Sequence, residues 1–100
     1  MDVKIEKNEA KTIATLSGRL DTTNADKFQN DIKGLFEDAN PDIVLDCTDM
    51  DYTSSQGLRI FLMLQKSVTS KGGAMVMTNM KPQVKEVFDI TGFSSIIKIQ

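Results

Sequence analysis

Ile43-Val44-Leu45 constrains this chain most, a short continuous apolar run standing between two segments of helical periodicity. It has the pattern of a strand covered on both faces, as in a parallel sheet. Upstream, Ala25, Phe28, Ile32, Leu35 and Phe36 fall at i, i+3, i+7, i+10 and i+11, one apolar stripe of a first helix. Asn24 stands at its N-cap and Asp26 near the positive end of its dipole, while Pro41 disfavours helix at Asn40 and closes the element. Downstream, a second helix is expected from about Ser55 to Thr69, stopping before Gly72-Gly73, and then a strand over 74–77. Pro82 opens a third helix carrying Val84, Val87 and Phe88, with Gly92 as its C-terminal cap, and 96–99 forms the last strand. Ahead of all this, Val3 and Ile5 alternate with Lys4 and Glu6, a turn follows at Asn8-Glu9, and 11–17 form a second strand ended by Gly18. Ala14 and Leu16 share one face of that strand. The short connection makes these two strands an antiparallel hairpin. The resulting order, β-β-α-β-α-β-α-β, predicts an α/β domain with a mixed, mostly parallel sheet, the N-terminal hairpin adding its antiparallel edge and helices packed on it.

Composition narrows the functions open to such a domain. One hundred residues, 40% hydrophobic, suffice for one core, so a single domain over 1–100 is expected. No apolar run approaches the roughly 18 residues of a membrane span, and the opening residues resemble neither a signal nor a transit peptide. A single cysteine, Cys47, cannot close an internal disulfide, which suits a reducing cytoplasm. With no histidine, Ser-His-Asp and Cys-His catalysis and histidine-containing zinc sites fall away. Neither phosphate-loop nor dinucleotide fingerprint occurs, so no cofactor is implied. A net charge of −2 gives no electrostatic footprint for nucleic acid.

Chemistry concentrates between Asp46 and Arg59, where a buried strand should give way to a polar loop and a helix should begin at a serine pair. The carboxyl ends of strands are where α/β sheets usually bind ligands. Ser54 can cap the helix, leaving Ser55 at its first position beside free backbone amides that suit a phosphate; equally, both serines can simply cap. Asp46, Asp49 and Asp51 could form an acidic magnesium pocket, but no acidic pair follows an early strand, and they read as a solvated loop. On a helical projection Leu58, Phe61, Leu62, Leu64 and Val68 cover the buried side, with Arg59 and Lys66 opposite. Met63 falls among those charges, a candidate partner contact. Met75 and Met77 share a pleat face and belong in the core, Cys47 reads as a small buried hydrophobe, and Tyr52 as packing over the loop.

Ser54-Ser55-Gln56-Gly57-Leu58-Arg59 behind an apolar strand, Gly18-Arg19-Leu20-Asp21 ahead of the first helix, and Pro82 to Phe93 late in the chain together resemble a STAS domain, more narrowly the bacterial anti-sigma factor antagonists. The resemblance spans essentially the whole chain in the same element order. It implies a protein-binding switch and not an enzyme: the unphosphorylated form binds an anti-sigma factor that is also a serine kinase and frees the sigma factor. Phosphorylation breaks that complex, and a metal-dependent phosphatase restores it. The family pattern Asp-Ser-[Ser/Thr]-Gly-Leu places the phosphoacceptor at Ser55; Ser54 stands where an aspartate is common and is the competing acceptor. The resemblance implies a partner surface of Asp21, Ser54, Gln56, Gly57 and Arg59, to which the helical projection adds Met63, although Asp21 can equally serve to open a turn. The alternative it allows is a constitutive scaffold subunit of an ABC-type lipid-trafficking complex, with the serine unmodified. A serine hydrolase built on Ser55 would lack a histidine base.

Overall fold

The computed structural model describes residues 1–100, and its sheet explains where the helices lie. Strands β1 (Asp2–Lys7), β2 (Thr12–Leu20), β3 (Asp42–Thr53), β4 (Ala74–Thr78) and β5 (Lys98–Ile99) stand in the spatial order β1-β2-β3-β4-β5. Only the β1–β2 pair is antiparallel. Its turn is tied by Asn8 Oδ1, which accepts from the backbone N–H of Ala10 at 2.9 Å and of Lys11 at 2.7 Å. From β2 onward each crossover steps the same way across the sheet, so right-handed connections deliver every helix to one face. These are α1 (Ala25–Asp31), α2 (Lys33–Glu37), α3 (Ser55–Ser70) and α4 (Pro82–Ile90).

Phe28, Phe61 and Phe88, one each from α1, α3 and α4, join the three helices in the core. Phe28 meets Phe61 edge-on at 5.6 Å between ring centroids, and Phe61 lies 6.0 Å from Phe88. Beneath them Ala14, Leu16, Ile43, Leu45, Met75 and Met77 point in from the sheet.

Five expectations change. The strand at Ile43-Val44-Leu45 is not covered on both faces: Ile43 and Leu45 are buried but Val44 is half-buried, because a sheet wound in one direction keeps its helices on one side. Gly18 does not end β2; it adopts φ +96° within it, a conformation open to glycine, and the strand runs on to Leu20. The polar segment after Asp46 is strand, not loop. Thr15 pairs with Asp46 and Ser17 with Asp49, then Gly18 with Met50 and Arg19 with Tyr52, so β3 holds an extra residue at each of two bulges. The first helix is two: Ile32, at φ −100° and ψ 12°, separates α1 from α2, although the whole stripe still packs inward. Last, β5 shortens to Lys98–Ile99 after a 3-10 turn over Phe93–Ser95.

Candidate functional site

The ends of β2 and β3 fix the start of α3. Leu20 pairs with Thr53, and the N–H of Ser54 donates to the Leu20 carbonyl at 2.8 Å. Ser54 then caps α3 as expected, its Oγ accepting from the Gly57 N–H at 3.2 Å, and it is only 8% exposed. Ser55, one residue on, is exposed, and its hydroxyl makes no hydrogen bond within the chain. Gly57 is buried at a close approach: a Cβ there would stand 2.7 Å from Leu20 Cδ2 and nearer still to Thr53 Oγ1. Side-chain volume at position 57 would therefore lift the helix start off the strand ends.

Asp21 follows directly in the same corner. Its Oδ1 accepts from the N–H and hydroxyl of Thr23 at 2.9 and 2.6 Å, and from the Asn24 N–H at 3.3 Å. The Thr23 hydroxyl, with backbone bonds and Arg19 adding to it, holds the Asp21 carboxyl below the usual carboxylate range. Asn24 stands at the N-cap of α1, but its side chain makes no cap bond. It returns instead to the loop, Oδ1 accepting from Asp21 N–H at 2.9 Å and Nδ2 donating to the Arg19 carbonyl at 2.8 Å. Asp21 and Asn24 thus brace each other and shape the surface beside α3.

Along α3, Ser55, Arg59 and Met63 lie at i, i+4 and i+8, one exposed stripe, with Gln56 beside its start. Arg59 enters no ion pair or hydrogen bond, and Met63 is 41% exposed. Met63 borders an open groove between α3 and the α1–α2 pair, completed by Asp26, Gln29, Asn30, Lys33 and the half-buried Phe36. Of the residues expected at the partner surface, Ser55, Gln56, Arg59 and Met63 are accessible, Asp21 is half-buried at the edge, and Ser54 and Gly57 are buried supports. The buried side of α3 differs at one pair: Ile60 is 5% exposed, whereas Leu62 is only half-buried.

Asp46, Asp49 and Asp51 do not converge, and no three acidic or thiol side chains come close enough to hold a metal ion. Asp46 Oδ1 accepts from the hydroxyl and N–H of Thr48 at 2.6 and 3.1 Å, which lowers its proton affinity, while Asp51 pairs with Lys81. Tyr52 does not lie over a loop; the Arg19 guanidinium stacks 4.4 Å from its ring centroid, a contact that the sequence pattern did not reveal because the β3 bulges set its register. Cys47 is fully buried and burial pushes its thiol up to about 12.

The family model for the STAS domain matches residues 2–100. A protein of Bordetella bronchiseptica provisionally named an anti-sigma factor antagonist, BtrV, is 33% identical over 99 residues, spanning 99% of this chain and 85% of the relative. The anti-sigma-B factor antagonist of Bacillus subtilis is 28% identical over 99 residues, spanning 99% and 90%. Among solved structures, one from Thermotoga maritima provisionally named an anti-sigma factor antagonist superposes with a TM-score of 0.86 at 23% identity, over 97% of this chain and 84% of its own, a likeness of fold.

Proposed function

The chain belongs to the STAS domain family, and from that premise we propose that it is an anti-sigma factor antagonist whose binding is switched by phosphorylation of Ser55. The observation that carries this reading is the contrast within the serine pair. Ser54 is buried with its oxygen committed to the helix cap, whereas Ser55 is exposed with a free hydroxyl at the first position of α3. Unmodified, the chain binds an anti-sigma factor that is also a serine kinase, through Ser55, Gln56, Arg59, Met63 and the Asp21 corner, and so releases a sigma factor for transcription.

Phosphorylation forms the Ser55 Oγ–phosphorus bond as the bond from the γ-phosphorus of ATP to ADP breaks, the hydroxyl proton passing to a base of the kinase. The product carries about −1.5 to −2 charges at the centre of the contact surface. Desolvating that charge on binding, without a matched cation opposite, costs several kcal/mol. A metal-dependent serine phosphatase resets the switch. In this cycle the chain is substrate and ligand, not enzyme, and works in the cytoplasm.

Incubation with ATP and the cognate kinase, followed by peptide mass spectrometry, should find one phosphate on Ser55 and none in Ser55→Ala. Phosphate on Ser54 alone would overturn the assignment. A partner bound equally well with Ser55 never modified would replace it with the constitutive scaffold.

A further inference from the structure

Resting on that reading, we propose that Arg59 is the intramolecular counter-ion of phosphorylated Ser55, so that modification both adds charge to the partner face and withdraws its free arginine. Helical Cα–Cβ bonds tilt toward the N-terminus, so a side chain at i+4 leans over residue i. Arg59 is at i+4 from Ser55 on the exposed side of α3. The chain uses this spacing for cation–carboxylate pairs elsewhere: Lys27–Asp31 at 2.9 Å, Lys85–Asp89 at 3.0 Å and Lys33–Glu37 at 3.9 Å. Arg59 makes no such pair, because its i−4 neighbour is Ser55, its i+4 neighbour is Met63, and the first turn of α3 holds no acidic residue. A phosphate on Ser55 supplies the missing anion, and with the anion N-terminal to the cation, the favoured orientation.

The other cations near this corner are already engaged. Arg19 stacks on Tyr52 and Lys81 pairs with Asp51. The guanidinium offers two parallel N–H donors to phosphate oxygens, a geometry that lysine lacks. In the unmodified protein Arg59 is exposed and unpaired on the stripe that runs to Met63, so its donors are available to a carboxylate of the partner. After modification they turn along the helix to the phosphate.

The test is phosphorus-31 NMR titration of protein carrying phosphoserine installed at position 55 by amber suppression, which needs no kinase. Arg59→Gln should raise the second ionisation of the phosphate by about 0.3, the size of an exposed i,i+4 pair at low salt. Arg59→Lys should recover part of that difference, and salt near 1 M, with its Debye length of about 3 Å, should abolish it. Lys66→Gln removes the same charge farther along α3 and should leave the titration in place. An unmoved titration in Arg59→Gln, an equal shift in Lys66→Gln, or a larger one in Arg19→Gln would each overturn the pairing. Failure of the kinase to modify Ser55 refutes the switch itself, and the NMR result still decides the pair.

Discussion

Ser54 and Ser55 carry the same side chain into different roles, and one residue of register separates them. Ser54 follows β3 directly, gives its N–H to the Leu20 carbonyl, accepts the Gly57 N–H on its Oγ, and lies buried away from any partner. Ser55 inherits the first position of α3 with its hydroxyl outward. That division depends on Gly57, whose missing side chain lets the helix start sit against Leu20 and Thr53. Gly57→Ala inserts a methyl that clashes with both, so it should cost about 1–3 kcal/mol, the range of overpacked cores, and should also weaken partner binding by displacing Ser55. Denaturant unfolding and a binding isotherm check the two effects; a variant with unchanged stability would show that the corner yields without strain.

Elements were legible where one periodicity governed them and illegible where two competed. The α3 boundaries, the N-terminal hairpin and the buried Met75 and Met77 follow from patterns that the structure keeps. β3 was cut short because its inward positions, Ile43, Leu45, Cys47, Met50 and Thr53, are spaced by two and then by three as the bulges intervene. A period of two cannot be followed across such a shift. The exchange of Ile60 for Leu62 has another cause. α3 lies between α1 and α4, with Phe61 touching an aromatic ring on each side, so its covered arc is not the simple sheet-facing stripe. The proposal of Ser55 as phosphoacceptor began from resemblance: spacing alone left both serines as possible caps, and the structure adds that Ser54 is buried and Ser55 exposed. On α3 the buried and exposed faces predict opposite outcomes. Phe61→Ala should cost about 3–5 kcal/mol, whereas Met63→Ala should change stability by no more than about 0.5 kcal/mol yet weaken partner binding by about 1 kcal/mol or more. A strongly destabilised Met63→Ala, measured in the same denaturant series, would contradict the exposed position.

At the scale of the whole molecule, strands that advance in one direction leave no reversal of order, and so no switch-point crevice of the kind that holds nucleotides in doubly wound sheets. What the fold offers instead is a helix start, an exposed stripe and a braced corner on one surface, suited to another protein. Charge also sets the stability of the fold against acid. Asp21, Asp46 and Asp89 are all held below the ordinary value of 3.8, Asp21 and Asp46 chiefly by threonine hydroxyls and Asp89 chiefly by Ser94. The unfolded state therefore binds more protons in that range, and their stabilisation is present above about pH 3.8 and lost as pH falls through the folded values. Thermal unfolding should show Asp46→Asn with a shallower loss below pH 4 than the parent protein; an equally steep loss would remove Asp46 from the account. The central claim is that charge at the start of α3 decides binding, and calorimetric titration of the anti-sigma partner into three forms tests it most directly. Unmodified protein and Ser55→Ala should bind alike, and Ser55→Asp should bind at least about tenfold more weakly, a loss of about 1.4 kcal/mol. Equal affinity in all three would contradict it.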